Sequence, residues 1–207
     1  MKPEDFLLVQ PQQDRAFAKF HKMVQAASEI LAEDGFGGLT SDAIAARAGV
    51  NISTFYKYFA NRDAVLGYMA VAFIEEQTAS LQRLIARMPP DAPLEQVIPA
   101  MIDTAVDDWT SNPTSRALQG CFILDPVLYA EYSQSSLIVA AALRPFITVW
   151  NIAGTHDDWD RMHSVFGDCA IVLYDRAAKA EPAEQAEVVI QLKNLAVAYF
   201  KTAVAAP

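Results

Sequence analysis

The spacing of the apolar residues is the feature that most constrains the fold of this 207-residue chain. Apolar side chains recur three and four positions apart along most of the sequence, and the alternating runs that are typical of strands are missing. With 53% hydrophobic and 20% charged residues, the chain has ample material for a core and does not have the composition of a disordered protein. The pattern therefore predicts an all-α protein.

Turn and capping residues divide the first ninety residues into four predicted helices. These helices cover residues 14–34, 42–48, 52–59 and 61–88. Gly49 stands in the turn between the two short helices, and Asn51 can cap the second of them. Because two short helices joined by a three-residue turn form a helix-turn-helix, we expect this motif near the N-terminus.

The second short helix carries more polar side chains than a packing helix needs. Phe55 and Phe59 are predicted to face the core, and their polar and phenolic neighbours are predicted to point away from it. Residues 43–62 include three basic side chains and no acidic one, although the whole chain has a net charge of −9. A cationic patch on an acidic protein is compatible with a small, specific DNA contact, whereas three basic residues alone would more simply be ordinary surface charge.

The segment LTSDAIAARAGVNISTFYKYFANRDAVL, residues 39–66, resembles the DNA-binding segment of TetR-family transcriptional regulators. The resemblance spans roughly residues 14–70. It rests on I-A-x-x-A-G-V, a hydroxyl cluster and F-Y-x-x-F with a basic residue three positions further on. It implies an N-terminal three-helix helix-turn-helix DNA-binding domain and a larger helical effector-binding and dimerisation domain. We therefore expect an N-terminal tail over 1–13, the DNA-binding domain over 14–62 and the second domain over 63–207.

The resemblance also implies which side chains contact DNA. Tyr56 matches the family's phosphate-binding tyrosine, and Arg62 stands where a lysine usually begins the long helix. Tyr58 replaces a frequent histidine and Asn51 a frequent serine cap. Half-buried packing is the alternative for both tyrosines, and Ile52 could touch a thymine methyl group or pack locally. The expected DNA contacts are Thr40, Asn51, Ile52, Ser53, Thr54, Tyr56, Lys57, Tyr58 and Arg62.

The last two helices are predicted to bind a second copy of the chain. Later helices are expected over 94–111, closed by Asn112 and Pro113, and over 114–123, 126–143, 145–152, 156–179 and 182–203. Residues 164–174 are apolar on nearly every side, and a short heptad-like seam follows in the last helix. Packing within one subunit is the alternative, but the resemblance implies dimerisation through a four-helix bundle. The expected dimer contacts are Val165, Cys169, Val172, Val188, Leu192, Leu195 and Tyr199.

Aromatic residues of the middle helices predict an apolar site for a small-molecule effector. Its expected lining is Phe73, Met101, Trp109, Phe122, Tyr129, Tyr132, Phe146 and Trp150, although aromatic residues at helical spacing could equally belong to the core. The long helix is expected to reach this cavity near Phe73 and Gln77. Because the region lacks an obvious cationic cluster, nothing points to a phosphorylated or multiply anionic effector.

Other chemical roles find little support in the sequence. His156 and His163 are about two helical turns, or ~10 Å, apart, which is too far to share a metal ion easily. Cys121 and Cys169 have no adjacent basic residue and are predicted to be small buried hydrophobes. We expect no metal, no cofactor and no enzymatic activity. With no signal peptide and no apolar run long enough to span a membrane, we expect a cytoplasmic protein that has no membrane partner.

These observations predict a homodimeric, ligand-responsive transcriptional regulator. By the family's usual mode it would be a repressor that binds a palindromic double-stranded DNA operator and is released by a small hydrophobic or aromatic effector. The alternatives are an all-helical small-molecule-binding enzyme and a helix-turn-helix module that binds other proteins. A DNA footprint separates the first reading from both alternatives.

Overall fold

The computed structural model describes residues 1–111 and 113–205, and helices account for nearly all of the regular structure within them. The elements are a 3-10 helix, η1 (Pro3–Phe6), and the α-helices α1 (Asp14–Gly38), α2 (Ser41–Arg47), α3 (Ile52–Tyr58), α4 (Arg62–Arg87), α5 (Leu94–Thr110), α6 (Pro113–Leu124), α7 (Pro126–Ala142), α8 (Arg144–Val149), α9 (His156–Lys179) and α10 (Pro182–Lys201). The all-α prediction is confirmed. Asn112, which was expected to help close α5, lies outside the described residues.

Helices α1, α2 and α3 form the N-terminal head around an aromatic core. The regular part of α1 ends at Gly35, whose positive φ of 66° breaks the helix as the sequence predicts. Gly49 has a φ of 64° in the turn between α2 and α3, a left-handed conformation that glycine adopts without strain. The ring of Phe20 stacks on Phe59 within this core. Phe17, near the start of α1, is exposed.

The long helix α4 belongs to both parts of the molecule. Near its start, the ring of Tyr68 packs edge-on against Phe20 and Phe59 of the head. Five residues later, Phe73 contacts Trp109 of α5, with ring centroids 4.3 Å apart. One helix thus contacts both the head and the body within less than two turns.

The N-terminal residues, expected as a tail, pack against the head and α4. The backbone N–H of Leu8 donates a hydrogen bond of 2.8 Å to the carbonyl oxygen of Tyr58 at the end of α3. The terminal ammonium of Met1 forms an ion pair of 2.6 Å with Glu131 on α7. This segment therefore connects the head with a helix of the body.

The body consists of the rest of α4 together with α5–α10. Hydrogen bonds from buried tryptophan side chains connect segments of the body. The indole N–H of Trp159 donates to the carbonyl oxygen of Ala140 at 3.1 Å, and that of Trp150 donates to the carbonyl oxygen of Ala92 at 2.9 Å. In the part of the chain that the structure describes, none of the helices has both the length and the apolar composition of a membrane span.

Candidate nucleic-acid interface and ligand cavity

Side-chain oxygen atoms cap both helices of the helix-turn-helix. Thr40 Oγ1 accepts a hydrogen bond of 3.1 Å from the backbone N–H of Ala43 at the start of α2. Asn51 Oδ1 accepts bonds of 2.9 Å from both the backbone N–H and the hydroxyl of Ser53 at the start of α3. Such caps satisfy backbone donors that a helix terminus would otherwise leave unpaired. Thr40 and Asn51 therefore have a structural role beside any contact with DNA.

The outer face of α3 carries most of the expected DNA contacts. Ser53, Tyr56 and Lys57 are exposed, whereas Ile52 and Thr54 are half-buried. Phe55 and Phe59 are fully buried on the opposite face, as the sequence predicts. The exposed part of this helix thus presents one cation, hydroxyl groups and a phenol to solvent, which are groups that donate hydrogen bonds to phosphate oxygens.

Tyr58 departs from the predicted orientation. It is only 3% exposed, and its ring packs edge-on against Phe20 at a centroid distance of 6.0 Å. Tyr58 lies three residues after Phe55, so helical geometry places both on the core side of α3. The expectation that Tyr58 points away from the core was wrong.

Two of the three basic residues in this segment already have partners within the protein. Arg47 forms an ion pair of 2.7 Å with Glu33 on α1. The Arg62 guanidinium lies 4.6 Å from the centre of the Phe36 ring and donates a hydrogen bond of 3.2 Å to the carbonyl oxygen of Leu39. Among the described residues, Lys57 has no carboxylate partner and lies 5.5 Å from the centre of the Tyr58 ring. Of these three basic residues, Lys57 is therefore the one most readily available to an external anion.

A cavity lies between the long helices of the body, with a volume of about 70 Å³. Its lining includes Gln77, Met101, Tyr132, His163, Tyr174 and Phe200, which come from α4, α5, α7, α9 and α10. Met101 and Tyr132, which were expected in the ligand site, line this cavity, and Gln77 brings α4 to it. The sequence did not predict His163 and Tyr174 in the cavity wall, because a single histidine or tyrosine in a helix does not show which neighbour it faces.

The other six residues expected in the ligand site lie outside the cavity lining. The rings of Phe73, Trp109 and Phe122 pack in series within the core of the body. Phe146 stacks on Trp150 with ring centroids 5.3 Å apart. Tyr129 is at the surface, where its hydroxyl donates a hydrogen bond of 2.7 Å to Asp168. Helical spacing predicts that an aromatic residue is buried, which fails for Tyr129, and it does not separate the core from a cavity wall.

The cavity has an apolar wall and a set of buried polar groups. His163 Nδ1 lies 3.0 Å from the hydroxyl oxygen of Ser136. Burial lowers the pKa of His163 from its ordinary value of 6.5 to about 4, against a weaker opposing effect of Asp160, so the ring is neutral at pH 7. Burial also raises the pKa of Tyr174, which keeps its phenol protonated. The Gln77 side-chain nitrogen is buried without a hydrogen-bond partner among the described residues.

The outward faces of α9 and α10 expose apolar side chains. Val165, Cys169 and Val172 on α9 and Leu195 on α10 are exposed, and Tyr199 is half-buried. Ile190 is also exposed on α10, although the sequence analysis did not single it out. Nine residues before Tyr199, Ile190 lies on the opposite side of α10, so we call the other five residues the α9–α10 stripe.

Three expectations about α9 and α10 need correction. Val188 and Leu192, expected in the dimer interface, are buried within the subunit, because the core face of α10 repeats every four residues through Ala196 and Phe200. Cys169 is exposed rather than buried, since it lies on the outward side of α9. Cys121 is buried as predicted, and burial raises the pKa of its thiol to about 11.

Comparisons with known proteins agree with this architecture. Residues 24–69 match the family model described as "Bacterial regulatory proteins, tetR family". A TetR-family regulator from Streptomyces coelicolor has 17% sequence identity and a TM-score of 0.69, over 92% of this chain and all of that one. FadR from Thermus thermophilus, a TetR-family repressor in complex with lauroyl-CoA, has 20% identity and a TM-score of 0.61, over 86% of this chain and 92% of that one.

A third similar structure is that of RolR in complex with resorcinol. It has 14% identity and a TM-score of 0.63, over 94% of this chain and 99% of that one. A comparison with functionally described proteins found no significant sequence match. Residues 24–69 therefore match the DNA-binding segment of the TetR family, and the chain as a whole has the fold of solved TetR-family regulators.

Proposed function

We propose that this regulator is a repressor that binds a palindromic operator as a homodimer and that a small molecule in the body cavity releases it from DNA. The observation that carries the proposal is the course of α4. The same helix packs on the head through Tyr68 and lines the cavity through Gln77. A ligand that shifts α4 in the body would therefore change the position of the head.

The DNA contacts that we propose divide into two kinds. Tyr56 and Lys57 are exposed and would bind phosphates, which fixes the head on the duplex but carries little sequence information. Ser53, Thr54 and Ile52 at the start of α3 are the candidates for base edges in the major groove. Thr40, Asn51 and Arg62 lie at helix termini beside this face. Their own hydrogen bonds would hold the contact surface in shape.

We propose that the α9–α10 stripe binds the same stripe of a second copy. In a dimer with two-fold symmetry, both subunits contribute the same surface patch to the interface. A single apolar stripe on each subunit is therefore enough to form it. The resulting four-helix arrangement would hold two heads on one face of the dimer. We expect the half-sites of its operator to lie about 34–36 Å apart, or a multiple of that distance.

The domain division follows the same proposal. Residues 14–62 would form the DNA-binding domain, and residues 63–207 would bind the ligand and the second subunit. Because the Met1 ammonium pairs with Glu131 on α7, the segment 1–13 would be a strap between the two domains rather than a free tail. A protein that acts on bacterial DNA in this way would work in the cytoplasm.

The effector would enter the cavity between the helices of the body. The proteins with lauroyl-CoA and resorcinol bound have the same fold, which supports a small-molecule ligand for this chain as well. If the effector bound one arrangement of the two heads 1–3 kcal/mol more favourably than the other, the affinity of the protein for DNA would change by roughly five- to 150-fold.

Selection of bound fragments from genomic DNA tests the proposal. The full-length protein should enrich one palindromic sequence, and a footprint on that sequence should protect two half-sites related by two-fold symmetry. Enrichment of no sequence, or protection of a single half-site by a monomer, would contradict the proposed operator.

The enzyme alternative has one specific observation in its favour. The contact between Ser136 Oγ and His163 Nδ1 could be that of a nucleophile with its general base. The pKa of His163 at about 4 makes its imidazole a weak proton acceptor at pH 7, which argues against that role. Conversion of a compound bound in the cavity would support the enzyme, and DNA selection without enrichment would favour either the enzyme or a protein-binding module.

A further inference from the structure

Gln77 is a buried residue of the cavity wall that carries a side-chain amide. The residue is 7% exposed, lines the cavity from α4, and has no hydrogen-bond partner for its side-chain nitrogen among the described residues. Native proteins pair most buried polar groups, and an unpaired one is costly. A ligand that offers an acceptor at this position would recover the missing hydrogen bond.

The charge of the lining excludes several classes of ligand. None of the described residues that line the cavity is a lysine, arginine, aspartate or glutamate. An anion or cation bound there would lose its hydration without gaining a counter-charge, and burial of an unpaired charge is strongly unfavourable. Neutral His163 and protonated Tyr174 can only offer hydrogen bonds.

The size of the cavity favours a compact ligand. Its volume of about 70 Å³ is well below the roughly 300–1,000 Å³ of sites for drug-sized molecules. The aromatic residues Tyr132, Phe166 and Phe200 lie around it together with aliphatic side chains, so that most of its wall can contact only an apolar surface.

We propose that the effector is an uncharged single-ring compound whose hydroxyl or carbonyl oxygen accepts a hydrogen bond from the Gln77 amide. This inference rests on the proposed function, because it names the ligand class of the cavity assigned there. The ring fills the apolar part of the cavity, and the polar edge of the ligand meets α4. Because the ligand contacts Gln77 on α4, its binding favours one position of the helix that packs against the head.

Calorimetry with phenol, toluene and benzoate tests this inference on the full-length protein at pH 7. Phenol and toluene share a ring and differ in the acceptor oxygen, and benzoate has a similar ring but carries a charge. Wild-type protein should bind phenol about three- to tenfold more tightly than toluene, as expected for one hydrogen bond. It should bind benzoate at least about tenfold more weakly than phenol.

The variant Gln77→Met removes the donor and keeps the length of the side chain. We expect this variant to bind phenol and toluene with about equal affinity and to retain toluene binding. Gln82→Met on the exposed side of α4 is the matched control and should keep the wild-type preference. Retained binding of toluene by Gln77→Met would show that the cavity is folded.

Equal affinities of wild-type protein for phenol and toluene, or a preference that survives in Gln77→Met, would overturn the inference. Binding of benzoate as tight as that of phenol would also overturn it. The calorimetric ratios need no DNA. A protein that keeps these ratios but enriches no operator would disprove the proposed function alone.

Discussion

The ring of Phe6 in η1 lies so close to Gly67 on α4 that a β-carbon at Gly67 would overlap it. Glycine at this position allows η1 to approach the backbone of the helix. Gly67 is adjacent to Tyr68, which packs on the head, so that the N-terminal strap covers α4 at the point where the head and the body meet.

Gly67→Ala is expected to displace Phe6 and to lower the free energy of unfolding. The cost of the overlap, about 1–3 kcal/mol, should exceed the gain in helix propensity of about 1 kcal/mol. Urea denaturation of Gly67→Ala, Phe6→Ala and the double variant measures the coupling between the two residues. In the Phe6→Ala background, Gly67→Ala should be neutral or stabilising. Strictly additive effects would show that the two residues do not interact.

Leu195→Glu is expected to yield monomers, because it places a charge in the centre of the proposed α9–α10 stripe interface. Sedimentation at micromolar concentration should show a dimer for the wild type and a monomer for the variant. Leu124→Glu is the matched control, since Leu124 is 84% exposed at the end of α6 and outside the stripe. A monomeric wild type, or a dimeric Leu195→Glu, would contradict the proposed interface. Leu192→Glu is unsuitable as a test because Leu192 is buried within the subunit.

His163 is expected to make stability fall as the pH decreases from about 6.5 to about 4. Its pKa is about 4 in the folded protein and near 6.5 when unfolded, so that protons bind preferentially to the unfolded chain over this range. The resulting loss is at most about 3 kcal/mol. Between pH 7 and pH 4.5, wild-type protein should lose more unfolding free energy than His163→Gln. Parallel curves for the two proteins would contradict the lowered pKa.

A compound that weakens operator binding must itself bind more weakly to the protein–operator complex, and by the same factor. Phenol titrated into the protein, with and without the selected operator, measures this factor from one side. The operator affinity with and without phenol measures it from the other. Equal phenol affinities in the two titrations would show that the cavity does not communicate with the head.

The local sequence predicts the head better than the cavity for a physical reason. Caps and turns depend on a few neighbouring residues, so Asn51 and Gly49 identify the start of α3 and the turn before it. Tyr58 was misplaced because a phenol suits both a polar groove and an aromatic core. Its burial follows from packing against Phe20, which lies far away in the sequence.

The cavity depends on how five helices meet, which spacing within one helix does not determine. Trp109 and Phe122 occur at the helical spacing that residues of a cavity wall would also have. They nevertheless pack against each other in the core. Gln77 was expected near the cavity because the long helix had to reach it. His163 could be placed there only once α7 and α9 were seen to bring Ser136 beside it.

The salt dependence of binding to the selected operator tests the central claim, DNA binding through the outer face of α3, most directly. Lys57→Ala should weaken binding to all sequences and should reduce the slope of log affinity against log salt by about one per subunit, or about two for a dimer. Lys179→Ala, which removes an exposed cation at the far end of α9, should leave the slope unchanged. An unchanged affinity and slope in Lys57→Ala would contradict the assignment of this face to DNA.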